Sequence, residues 1–326
     1  MSVPCSQSVE APCPKRKGTT PAGLTACPPK GKSSRVPTPA LQSLPEPEWQ
    51  ALRAAYRERV RPWVDAHRER RSRGEKHPVY DFLFDYYHFT PGQLERWHPG
   101  LGRALAGEAA AAYLEQGGYH RTPEGVAADP AWLKPGRREA VRWIGSLLRG
   151  MAARPPAYGC FGLHEWAMVY RTPQVRHAAW PLRYDEARLA QIVESLPIRC
   201  SHFDAFRFFT EAARPLNRLQ PTRESGPQLE QPGCLHANMD LYKWAFKLVP
   251  FTPSEWIAEA FALALEIREI DMRASPYDLR GLGFEPIPVE SAEGRAEYEA
   301  HQRRFSGRGC GLRQRLIGLC HELAGV

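Results

Sequence analysis

Residues 254–273, SEWIAEAFALALEIREIDMR, limit the possible folds more than any other stretch of this chain. Trp256, Phe261, Leu263, Leu265, Ile267 and Ile270 give a helix here an apolar majority, and such a helix is stable only when other elements cover it. Thr252-Pro253-Ser254-Glu255 ahead of it combines capping-box spacing with proline at the first helical position. The fold therefore has to be built around a central helix. The covering material is helical too. Trp49, Leu52, Tyr56, Val60 and Trp63 form the apolar face of a helix that opens at Ser43-Leu-Pro-Glu46, again with capping-box spacing, and Pro62 is expected to kink or split it. Residues 77–89 are densely aromatic and read as core-facing, and Thr90-Pro91-Gly92-Gln93 starts a short capped helix. After a turn at 98–102, the alanines of RALAGEAAAAYLEQ favour helix up to Gly117-Gly118. Residues 136–153 form another amphipathic helix, 276–290 read as a loop, and the chain from Ala292 is helical with a break expected at Gly307 to Gly311. No repeat is visible and few β-branched runs alternate. The expected fold is mainly α, one compact helical domain over residues 43–326.

Residues 1–42 are expected to be a disordered basic arm. Ten of the 31 prolines fall in residues 1–47, where too little apolar surface is available to offset the entropy of ordering. Six basic residues there face only Glu10 and Glu46, so this segment carries half of the net charge of +8. A basic arm of this kind can hold phosphates non-specifically or simply solubilise the chain. No apolar run reaches the roughly 18 residues that span a bilayer, and no signal-peptide core is present, which makes no membrane partner and a cytoplasmic location the expectations. Eight cysteines without a secretory signal do not imply a disulfide framework.

The segments between Tyr158 and Asp278 interleave His, Asp, Glu, Asn and Cys with aromatics and Met, and polar groups placed among apolar ones need partners. His236, Asn238 and Asp240 share a face in a strand, whereas a helix still aligns His236 with Asp240. His202 and Asp204 share a face only if extended, since a helix sets them about 200° apart, and Arg207 is the alternative partner of Asp204. His164 and Glu165 are adjacent, so one of them is expected to be structural, with His164 favoured for the site. Cys200-Ser-His202 and Cys234-Leu-His236 are two C-x-H pairs, but their spacing departs from that of structural zinc modules, and buried free thiols are the better reading. Glu266, Glu269, Asp271 and Asp278 crowd the end of the central helix, where Arg268 and Arg273 can compensate them; otherwise Asp271 and Asp278 join the site. Arg171, Arg176 and His177 form a cluster able to take an anion.

GCFGLHEWAMVYR, SHFDAFRFF, EQPGCLHANMDLYKWA and IREIDMRASPYDL, with HPVYDFLF and RWHPGLG, resemble a group of bacterial proteins commonly labelled 3-methyladenine DNA glycosylase. The resemblance covers roughly residues 75–305. It implies hydrolysis of the N-glycosidic bond of an alkylated purine in DNA without a cofactor, with the base flipped out of the stack. In that reading Asp240 or Asp204 is the base or charge stabiliser, His236 and its neighbour His202 assist, Trp166, Tyr170 and Trp244 stack on the base, and Arg171 contacts substrate. HPGLGRALA would then be the turn of a helix-hairpin-helix whose amides grip a DNA phosphate. Residue chemistry alone gives an alternative, a metal-dependent enzyme acting on a small molecule. His164, His202 and His236 would then be ligands of iron, manganese or zinc beside Asp204 and Asp240.

Overall fold

The computed structural model describes residues 41–324 apart from 174 and 176–178. The expected arm, residues 1–42, falls almost wholly outside the described residues, as do Arg176 and His177. The described residues form one compact unit. In chain order it contains β1 (Gln42–Leu44), α1 (Glu46–Ser72), α2 (Phe82–Tyr87), α3 (Pro91–Leu94), β2 (Arg103–Leu105), β3 (Tyr119–Thr122), β4 (Gly125–Ala128) and α4 (Pro135–Ala152). In the second half, loops join α5 (Leu163–Ala167), α6 (Glu186–Ser195), α7 (Phe203–Phe206), α8 (Gly226–Leu229), α9 (Leu235–Lys247), α10 (Ser254–Arg273) and α11 (Ala292–Ala324). The mainly α expectation holds, and no described helix is long and apolar enough to cross a membrane.

Helix α10 is the central helix. It packs against α9, α11, α1 and α2 and buries Ile257, Phe261, Leu263, Ile267 and Met272. Its start differs from the expected capping box. Pro253 is the N-cap, and Ser254 Oγ instead accepts from the His98 amide at 2.7 Å, while Glu255 accepts from the Trp97 indole at 2.9 Å. A tertiary partner has taken Glu255 from the box, and Thr252 Oγ1 is buried without capping the helix. The same happens at α1, where Ser43 Oγ donates to Glu124 O and Pro45 is the N-cap. Helix α1 runs without interruption through Pro62, so no split occurs there. At α3 the expected box of Thr90 and Gln93 is present.

The alanine-rich segment after the 98–102 turn is not an α-helix. Arg103–Leu105 pairs in parallel with β1 and antiparallel with β4, in a small sheet of order β1-β2-β4-β3. Gly107 then turns with φ 92°, where a Cβ would strike the Glu46 carboxylate, and Glu108–Tyr113 forms a 3₁₀ turn. Strand pairing and a steric turn override the helix propensity of the alanines. The turn before β2 therefore lacks a second flanking helix and is not a helix-hairpin-helix. Its amides are also committed internally, His98 N to Ser254 Oγ and Leu101 N to Phe251 O at 2.8 Å.

Helix α11 is continuous across Gly307 to Gly311, against the expected break. Gly309 explains why: a Cβ there would lie 2.2 Å from Asn238 Oδ1 and 3.3 Å from Leu241 Cδ1, so the glycine admits α9 at close range. Asn238 is held at that crossing by Arg313 Nη2, which donates to its Oδ1 at 2.6 Å, and by its own bonds to Pro232 O and Cys234 O.

Candidate functional site

Because residues 235–247 are helical, Asn238 faces α11 and takes no part in the site, whereas His236 and Asp240 lie one turn apart on the opposite face. Two clusters of buried polar groups meet at His236.

In the first, left-handed backbone at Phe161 (φ 46°) and Gly162 (φ 68°) delivers α5, and with it His164 and Glu165. Helix α10 presents Arg268 and Asp271 from one face, three residues apart. His164 Nε2 lies 3.3 Å from Asp271 Oδ2. Arg268 Nη1 donates to Glu165 Oε1 at 2.8 Å and approaches Asp271 Oδ2 at 3.3 Å. The expectation that His164 and Glu165 would part company fails, because Arg268 reaches across to Glu165 while His164 meets Asp271.

The second cluster gathers His202, Asp204, Glu230, Asp240 and Lys243. His202 is extended at the N-cap of α7, so both it and Asp204 reach α9. Lys243 Nζ donates to Asp204 Oδ2 and to Asp240 Oδ2, each at 3.0 Å, and Tyr87 Oη donates to Asp240 Oδ1 at 2.7 Å. Asp204 also pairs with Arg207 Nε at 3.2 Å, so both of its possible roles are combined. His202 Nε2 lies 3.7 Å from Asp240 Oδ2, and its Nδ1 lies 3.4 Å from Glu230 Oε1 without hydrogen-bond alignment.

The His236 ring meets His164 edge-on at 4.3 Å between centroids and stacks on His202 at 5.4 Å. It makes no hydrogen bond to any described residue. Burial, with His164 and His202 as neighbours, holds its pKa well below the ordinary value. For His202 burial acts in the same direction, but the carboxylates of Glu230 and Asp240 outweigh it and raise the pKa. His164 is likewise raised, burial being outweighed by Asp271 and Glu165. Burial pushes the Asp271 carboxyl up, yet His164, His236 and Arg268 together hold it far below the usual range.

Both clusters open onto a cavity of about 480 Å³ walled by Phe82, Tyr86, Met168, Trp180 and Phe208, with Glu165, His202, Asp204, His236, Asp240 and Arg268 also on its surface. Behind His236 and His164 lies a smaller cavity of about 280 Å³ bordered by Cys160, Cys200 and Cys234. These cysteines are free, and burial pushes the Cys200 thiol up to about 12. Cys200 and Cys234 are buried and Cys160 half-buried, and among the described residues none joins a donor set with the histidines.

Not every residue singled out in the sequence reaches the cavity. Trp166 is fully buried and spends its indole N–H on Ala274 O at 2.9 Å. Tyr170 Oη and Arg171 Nη2 both donate to Glu194 Oε1 at 2.7 Å, away from the cavity wall. Trp244 borders a neighbouring depression that includes Asp204 and Asp240. Asp278 pairs with Arg280 at the surface, whereas Asp271 joins the first cluster. The three histidines proposed as one ligand set are divided. His164, His236 and Asp271 offer atoms within 4.8 Å of one another, and His202 does so with Asp204 and Asp240.

No family model, curated protein or solved structure matches the chain. The site is thus read from its own geometry. Sequence reasoning passed over Lys243, Glu230 and Tyr87. Lys243 was within reach, since it follows Asp240 by three residues on a helix. Tyr87 lies 153 residues from Asp240 and left no local signal.

Proposed function

We propose that the protein is a metal-dependent enzyme acting on a small molecule in the 480 Å³ cavity, with His164, His236 and Asp271 as the ligand set. One observation carries this reading. Three donors of the two-histidine, one-carboxylate type stand together, and the second oxygen of the carboxylate, Asp271 Oδ1, is buried with no partner. Such an oxygen costs about 1–3 kcal/mol unless something satisfies it. The 3.3 Å between His164 Nε2 and Asp271 Oδ2 is long for a charge-assisted hydrogen bond. It equals the separation, about 3.3 Å, of two donors that each lie about 2.0–2.1 Å from one ion at a tetrahedral angle. Glu165 and Asp271 against the one permanent cation Arg268 leave a negative charge that either a protonated His164 or a metal ion held by a neutral His164 can balance. In the second set that role is already filled by Lys243.

The donor set suits iron, with manganese and zinc also compatible, and such an ion would supply Lewis-acid or redox chemistry beside His236, the member of the set that lines the cavity. The chain's own groups do the rest. The aromatic walls exclude water, and Arg268 and Lys243 hold the carboxylates in place. His202 and His236, stacked and with pKa values pushed in opposite directions, divide into a proton donor and a neutral acceptor or ligand. The test is elemental analysis of protein purified without chelator and then supplied with iron, manganese or zinc. We expect about one ion per chain in the wild type and its loss in His236→Ala and Asp271→Asn. A wild type that retains no stoichiometric metal would sink the reading.

A second reading, glycosidic cleavage of an alkylated purine, is favoured by one feature: Asp204 and Asp240 lie on a cavity walled by aromatic rings that suit a flipped base. It requires the wild type to release a methylated purine from alkylated DNA in EDTA, and Asp240→Asn to abolish release while retaining DNA binding. Failure to release base from any alkylated substrate removes it.

A further inference from the structure

The cavity over His236 does not end at its two carboxylates. Asp204 and Asp240 also border a depression of about 570 Å³ that continues past Trp143 and Trp244 to Lys247. Lys247 and Ile144 belong in turn to a third depression, of about 480 Å³, onto which Arg96 and Arg137 open. Shared lining residues set the three side by side in one row. Helix α9 lines its length: His236, Asp240, Lys243 or Trp244, and Lys247 recur every three or four residues and stay on one face. At 1.5 Å per residue, His236 and Lys247 are about 16 Å apart along that face.

The chemistry changes along this row. At the far end Arg96, Arg137 and Lys247 are exposed, no acidic residue lines the depression, and none of the three has a carboxylate partner among the described residues. The Arg137 guanidinium lies over the Trp132 ring at 4.6 Å, leaving its N–H edges for another acceptor. In the middle, the Trp143 ring is 42% exposed, enough to stack on a planar group, and it leans edge-on against Trp244 at 5.6 Å. Trp244 is 5% exposed and Glu230 is 7% exposed, and each leaves a buried polar atom, Nε1 and Oε2, without a partner beside this middle depression. A ligand with one acceptor and one donor on a planar ring would satisfy both.

We propose that the site takes an elongated substrate or cosubstrate of the nucleoside-diphosphate class, its planar ring against Trp143 and its phosphates held by Arg96, Arg137 and Lys247. This assignment rests on the reading of the cavity as an enzyme site for a small molecule, but not on the metal. Three cations without counter-charge call for a multiply charged anion, and Arg forks match phosphate oxygens. A nucleic-acid strand fits less well, because its phosphates would have to run on toward Asp204, Asp240 and Asp85 at the other end of the row.

The experiment titrates the full chain in EDTA with ADP, adenosine and pyrophosphate, followed by tryptophan fluorescence and calorimetry. ADP should saturate and bind more tightly than either fragment. The double change Arg137→Ala with Lys247→Ala should weaken ADP and pyrophosphate by about tenfold or more and leave adenosine within about twofold. Trp143→Ala should weaken ADP and adenosine but not pyrophosphate. Because the titration is run in EDTA, a failure of the metal reading leaves this assignment standing. The altered side chains are exposed, and an unchanged melting temperature confirms an intact fold. Absence of saturable binding of both ADP and pyrophosphate overturns the proposal. So does a short DNA duplex that binds more tightly than ADP with a steep salt dependence, which would make the row a nucleic-acid groove.

Discussion

Arg268→Met removes the only permanent cation that contacts Glu165 and Asp271 among the described residues, beside the titratable His164, while keeping most of the side-chain volume. Arg268 is 1% exposed and its two acidic partners are 3% and 0% exposed, so the lost charge cannot be replaced by solvent. Breaking a buried pair by deleting one partner costs about 3–5 kcal/mol. For a domain of roughly 285 residues, an unfolding entropy of about 2.1 cal/mol/K per residue converts this to a fall of roughly 5–8 °C in melting temperature. The sign of the pH dependence follows from Asp271. Burial favours its protonated form, but His164, His236 and Arg268 hold its folded pKa below the unfolded value. The stability this confers is present above the unfolded pKa and is lost as pH falls through the folded one. Deleting Arg268 raises the folded pKa, so the deficit should be full near about pH 7.5 and smaller near about pH 3, between the depressed folded pKa and the unfolded one. Scanning calorimetry of both proteins in EDTA at the two pH values measures this. A deficit below about 2 °C at neutral pH, or one equal at both, would refute the buried-cation argument. Arg268→Met combined with Glu165→Leu should recover part of the loss, because an apolar pair replaces an unpaired charge.

Gly309→Ala forces a methyl against Asn238 Oδ1 and disturbs the buried bond from Arg313, which should cost roughly 2–4 kcal/mol in chemical unfolding; a neutral result would mean α9 and α11 can part freely. Burial lowers the His98 pKa to about 4, so between that value and about 6.5 the unfolded chain binds the extra proton and His98 makes the fold less stable as pH falls. His98→Gln should flatten the stability profile across that window, and an unchanged slope would contradict it. Alkylation at neutral pH should label the exposed Cys310 long before Cys200, whose thiol is buried and titrates near about 12; mass spectrometry showing early modification of Cys200 would place it at a reactive surface.

The central helix was legible because an apolar majority over twenty residues can hardly be exposed, and the Thr90 cap because its partners are local. The boxes assigned to Ser43 and Thr252 were not, since Ser43 is claimed by Glu124 and Glu255, the far member of the second box, by Trp97, each distant in sequence. The alanine run failed for the same kind of reason: propensity is a local quantity, and β2 is fixed by β1 and β4 from either side. At the site, helical spacing put His236 and Asp240 on one face but in different donor sets, whereas an extended N-cap brought His202 and Asp204 into one. The pairing of His164 with Asp271 spans 107 residues and lay beyond local spacing, although both had been set aside as candidates. Trp166 misled because an aromatic beside a polar motif reads alike whether it lines a cavity or fills a core.

Gly309 touches nothing in the cavity, yet the depth at which α9 rests against α11 is set there, from behind the face that carries His236, Asp240 and Lys247. Its consequence is evolutionary. Positions 238, 309 and 313 cannot drift independently, because a larger residue at 309 is admissible only if 238 shrinks, and Arg313 then loses its acceptor. In related chains these three should change as a set or not at all. A sequence that keeps the histidines and carboxylates but breaks this set would carry the same residues on a displaced helix, and should not be assumed to share the chemistry.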